Sequence, residues 1–199
     1  MGASPQLLRP LVLQAADLIE GFHIRSNARR SATRSRWLPP APAVITTPSW
    51  LKPNANCDLA ARVASGLALR TNSRVGYLAV GECAIHAVAR MWLLVAGIKA
   101  SSVATGNLAK DDFPRLSMVG GKLSVTSLVF SDQDVPKKKI KQATRQFIED
   151  CQLEFLVVDD PDVETLRNPE LLPEQEHWRI RMEFREAVRG TNVMMILPG

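Results

Sequence analysis

Short apolar runs alternate with amphipathic stretches along most of the chain, and that alternation predicts an α/β fold. "AVITTP" (43–48) reads as a weak first strand and "RVGYLAVG" (74–81) as a buried one. "SLVFSD" (127–132), "EFLVVDD" (154–160) and "NVMMILPG" (192–199) read as three more. Between the strands, "CDLAARVASGLALR" (57–70) has helical spacing at Leu59, Val63 and Leu67. "CAIHAVARMWLLVAG" (83–97) is a helix closed by Gly97, and "NLAKDDFPRLSMVGGKL" (107–123) holds a shorter one. In "DVPKKKIKQATRQFIED" (134–150), Asp134 is the cap and Pro136 lies in the first turn; Ile140, Ala143, Phe147 and Ile148 form the apolar face. "EQEHWRIRMEFREAVRG" (174–190) turns Ile180, Phe184 and Val188 inward and stops at Gly190. Trp92, Trp178 and Phe184 are expected in the core.

Strands separated by helices predict a three-layer domain, a mostly parallel sheet covered on both faces. Ligands in such sheets sit at the carboxyl ends of strands. That directs attention to Gly81–Glu82, Ser131–Asp132 and Asp159–Asp160.

Ahead of this domain the pattern changes. Residues 5–20 form a short amphipathic helix through Leu7, Leu8, Leu11, Ala15, Leu18 and Ile19, weakened by Pro10. "HIRSNARRSATRSRWLPPAP" follows, with Arg25, Arg29, Arg30, Arg34 and Arg36, little to bury and a proline cluster. The expected organisation is an N-terminal helix (1–22), a basic linker (23–42) and one folded domain (43–199). The arginines read equally well as a phosphate-binding tract for DNA or RNA and as a solubilising linker. The net charge of +5 permits an acidic partner without requiring one.

Three cysteines without a CxxC and three scattered histidines predict a reduced, cytoplasmic chain with no zinc site. Cys83 and Cys151 are expected to be buried as small hydrophobes. No apolar run of about 18 residues exists, so no membrane span or membrane partner is expected. The N-terminus lacks the basic start and cleavage site of a signal peptide, and Gln6 stands where a myristoylation signal prefers a hydroxyl.

The segments from about Pro53 onward resemble the RecA-like ATPase domain of DnaB-type replicative DNA helicases. "RVGYLAVGE" is similar to the family's second strand, with Glu82 in the place of the catalytic glutamate. "ATGNLAKDDFPRL" is similar to a TG-L-xxDDxxxL segment at Thr105, Gly106, Leu108, Asp112 and Leu116. "LVFSD" looks like a strand ending in an acid at Asp132, followed by a basic helix in "VPKKKIKQATRQF". "EFLVVDD" looks like the Walker B strand, with Asp159 in the metal-side position.

Counting back from Glu82, the family's phosphate loop would end at Pro53-Asn54-Ala55-Asn56-Cys57-Asp58. By that resemblance, Asn56 replaces the glycine, Cys57 the phosphate-binding lysine and Asp58 the magnesium-binding hydroxyl. A phosphate cradle works through backbone N–H groups, a cation and a helix N-terminus. Asp58 sets a negative charge there, and it suits a helix start better than a polyphosphate. The DNA-contacting loop and arginine finger that the resemblance implies beyond "NVMMILPG" are not in this sequence.

Glu82 and Asp159 are therefore read as vestigial strand-end carboxylates, not as a catalytic or metal pair. Cys57 is not expected to be a nucleophile, because Asp58 beside it disfavours the thiolate. The expectation is a catalytically inactive helicase-like protein with no cofactor, not an enzyme. It would act as an accessory or regulatory binding protein in DNA replication or mobile-element maintenance. Its partners would be a helicase-like protein, itself, or DNA through the arginines, with residues 5–20 docking on a neighbouring subunit. The alternative is an ATPase with a non-standard phosphate site using Glu82, Asp159 and magnesium-ATP.

Overall fold

In the computed structural model, residues 6–33, 55–80, 83–131, 140–159 and 173–197 are described. Their elements run β1 (Gln6–Leu7), α1 (Leu8–Thr33), α2 (Ala55–Arg70), β2 (Val75–Ala79), α3 (Ala84–Ala96), α4 (Ala100–Ala104) and α5 (Asp112–Ser124). There follow β3 (Leu128–Ser131), α6 (Ile140–Cys151), β4 (Phe155–Asp159), α7 (Pro173–Val188) and β5 (Met194–Ile196). The sheet order is β1-β3-β2-β4-β5. β3, β2, β4 and β5 are mutually parallel, and the two-residue β1 pairs antiparallel with β3 at the edge.

β2 lies at the centre because both its faces are apolar, and all five of its residues are buried. Successive side chains point to opposite faces. Val75, Tyr77 and Ala79 join Leu128, Phe130 and Val157 in a core shared with α1 to α5. Leu78, Val80, Leu156 and Val158 join the second core, under α6 and α7. Helices thus cover both faces of a mostly parallel sheet, as the pattern predicts. Ile180 and Phe184 are buried in the second core, Val188 packs against it, and Gly97 closes α3 in the left-handed conformation. The first expected strand, 43–48, lies outside the described residues.

Several expectations are corrected. α1 does not stop near residue 22 but continues to Thr33, so the first eleven residues of the expected linker are helical. Arginine and alanine favour a helix, and Pro10 falls in the first turn, where its missing N–H is no loss. Of the apolar face expected on residues 5–20, Leu8, Leu11, Ala15 and Ile19 lie in the chain's own first core, Leu18 packs against it and Leu7 is exposed. In α2 the fully buried face includes Ala60, Ala61, Ala64 and Ala68; of the expected positions, Val63 and Leu67 pack against the core half-buried and Leu59 is exposed. Small side chains let that helix lie close to β4 and α3. Trp178 is 68% exposed, Cys83 is exposed and Cys151 is half-buried. Among the described residues, no helix is long and apolar enough to cross a membrane.

Candidate functional site at the sheet switch point

The chain leaves β2 for β3 on one side, then crosses back to place β4 on the other. The carboxyl ends of β2 and β4 therefore flank a topological switch point, where open α/β sheets hold their ligands. Asp159 ends β4 there, in register with Ala79. Glu82, Asp132 and Asp160 lie outside the described residues.

Asp159 does not face solvent: its relative exposure is 0%. Its side chain lies on the same sheet face as Tyr77, two residues back along the neighbouring strand. The Tyr77 hydroxyl donates a short hydrogen bond to Asp159 Oδ2. Arg90 Nη2, from the middle of α3, donates to the same oxygen at 2.8 Å and forms an ion pair with it. Oδ1 is equally buried and has no hydrogen-bond partner among the described residues. The Tyr77 ring packs against Phe130 with centroids 5.1 Å apart.

This cluster sets the protonation of its neighbours. Burial raises the Tyr77 pKa well above its ordinary 10.0; the Asp159 charge raises it further, and Arg90 partly opposes both. The phenol therefore stays protonated as a donor. His86, one turn before Arg90 on α3, has its pKa lowered by partial burial and by the Arg90 charge. The carboxylate is compensated by a guanidinium and a phenol, so a cation entering here meets a site already holding one. Among the described residues, no group of three or more His, Cys, Asp and Glu side chains is arranged to hold a metal.

Asn56, Cys57 and Asp58 lie in the first turn of α2, with Asp58 as its acidic residue. Cys57 is fully buried, which removes it as an accessible thiol. A carboxylate at this end of a helix is favoured by the backbone dipoles that would otherwise attract phosphate.

The 105–116 segment has a local structural role. Gly106 adopts φ 68° after α4. Ala109 N donates to Asp112 Oδ2 at 2.8 Å, and Arg115 binds the other oxygen of the same carboxylate. Asp112 thereby ties the loop to the start of α5.

Arg25, Arg29 and Arg30 lie on the C-terminal part of α1, while Arg34 and Arg36 fall outside the described residues. Lys141 is an exposed residue of α6, 3.6 Å from Glu186 of α7. Sequence reasoning missed Tyr77 and Arg90. Their signals were the chain's single tyrosine inside a buried strand and one arginine inside an otherwise apolar helix. No family model matches the chain, and a search of curated proteins finds no match.

Proposed function

We propose that this protein is a binding protein on a nucleotide-hydrolase-like scaffold that does not itself turn over nucleotide. The observation that carries the reading is the Asp159 carboxylate, held inside the domain by Arg90 and Tyr77. In the DnaB-type helicase domain that the sequence resembles, the matching acid serves the metal. Here it is occupied by an internal cation. The acidic first turn of α2 and the buried Cys57 support the same reading, because neither supplies a positive charge for phosphate. The role proposed is accessory or regulatory, in DNA replication or mobile-element maintenance. Its partners are a helicase-like protein, a second copy, or DNA along the arginines of α1.

One observation favours a second reading, an ATPase with a non-standard site. Asp159 Oδ1 is buried at the carboxyl end of β4 and has no hydrogen-bond partner among the described residues. A carboxylate oxygen of that kind is available to a metal-bound water.

Calorimetric titration of magnesium-ATP into the full chain separates the two, with a turnover assay on the parent and on Glu82→Ala. The expected result is no heat at millimolar nucleotide and no shift in melting temperature, since a ligand of the native state must stabilise it. Stoichiometric turnover that disappears in Glu82→Ala overturns the binding-protein reading.

A further inference from the structure

We infer that the groove between α1 and α5 is the face through which two copies of this chain pair about a two-fold axis. The groove encloses about 510 Å³. α1 contributes Val12, Leu13 and Ala16 to its wall, and α5 contributes Phe113, Gly120 and Gly121. On α1 the lining runs from Arg9 to Glu20 at intervals of three and four residues. At 1.5 Å per residue, that is a trough of about 16 Å, the length of three helical turns. Leu13 is 66% exposed and Phe113 is 47% exposed at its rim, so large apolar groups face water on both sides.

The floor is open for a reason the chain's own packing does not supply. A side chain at Gly120 would run into the Trp92 ring, so that glycine is needed inside the fold. A Cβ at Gly121 would meet nothing within 4 Å. Glycine inside a helix is a stability cost relative to alanine, and no internal contact explains it at Gly121. It leaves bare helix backbone at the groove floor, which admits another helix at close range.

Charge names the occupant. Arg9 and Glu20 stand at opposite ends of the trough, and neither has an ion-pair partner among the described residues. A two-fold axis crossing α1 between Gln14 and Ala15 sets Arg9 of one copy against Glu20 of the other, twice. Leu13 of each copy then reaches the floor of the other groove, where Gly121 leaves room. This isologous contact closes at two copies. An unrelated helix would have no reason to be matched by charges that match each other.

This inference deepens the self-association part of the proposed function and rests on it there alone; nucleotide chemistry does not enter. The test is sedimentation equilibrium of the full chain across about 1 to 100 μM. The expected result is a monomer–dimer equilibrium that Leu13→Glu abolishes without changing the thermal melt taken at a concentration where the parent is monomeric. Arg9→Glu or Glu20→Arg alone weakens dimerisation about tenfold, since two exposed pairs become like-charge contacts. The double exchange restores the parent affinity to within about threefold. If Leu13→Glu alters the melt, the charge-exchange set decides. A monomer at every concentration, a dimer indifferent to these changes, or a double exchange that fails to restore pairing overturns the inference. None of those outcomes changes the magnesium-ATP result, and ATP turnover would leave the dimer untouched.

Discussion

Replacing Arg90 by methionine removes the only charge-compensating group seen on Asp159 among the described residues, with little change in side-chain bulk. The carboxylate then stays fully buried, with one phenolic hydrogen bond and no countercharge. Breaking a buried pair in this way costs about 3–5 kcal/mol. The total stability of a domain is about 5–15 kcal/mol, so about a fifth or more of it is at stake. For a domain of this length, the melting temperature falls by about 6–20 °C, at about 2–4 °C per kcal/mol. Replacing both charges, Arg90→Met with Asp159→Leu, removes the uncompensated group and recovers most of the loss. The assay is a double-mutant cycle by urea unfolding, followed through tryptophan fluorescence. A loss below about 1 kcal/mol in Arg90→Met, with no coupling in the cycle, refutes the reasoning. It would place Asp159 in contact with water at the strand end, where a metal could reach it.

Adjacent glycines of α5 are expected to respond with opposite signs. Gly120→Ala drives a methyl group into the Trp92 ring and destabilises by about 1–3 kcal/mol, whereas Gly121→Ala meets open space and stabilises by about 0.5–1 kcal/mol. Equal effects in thermal melts would contradict the packing described. The pH dependence follows from Tyr77, whose folded-state pKa is raised above 10.0. Below that value both states keep the proton and the full contribution is present. As pH rises beyond it, the unfolded chain ionises first and stability falls. Alkaline unfolding should therefore be steeper in the parent than in Tyr77→Phe, and identical profiles would count against the buried phenol.

Local patterning made much of the fold legible. β2, α3, β3, β4 and α7 were marked by apolar runs, helical spacing and stop residues that lie within a few positions of one another. What escaped depended on distance or on closeness of packing. Tyr77 and Arg90 meet Asp159 from 82 and 69 residues away, and no periodicity carries information across that span. The alanine face of α2 was not legible in the spacing of Leu59, Val63 and Leu67: the last two only border the core, while the tight approach to the sheet selects alanines. The C-terminal part of α1 was missed because its arginines suggested solvation, a reading that ignored their good helix propensity. The five-residue α4 is too short to show a period.

The position of β2 also has a consequence for biosynthesis. One edge of this strand is completed by β3, and the other only when β4, beginning at Phe155, has been made. At roughly 5–20 residues per second, the ribosome takes about 4–15 s to pass from Ala79 to Phe155. Throughout that interval the central, fully buried strand of the sheet has an unpaired edge, and the carboxylate that answers Arg90 does not yet exist. Non-local pairing of this kind is slow, and an open edge invites pairing with other chains. The nascent chain is therefore most exposed to aggregation, and most in need of a chaperone, after α3 has formed and before residue 159 emerges.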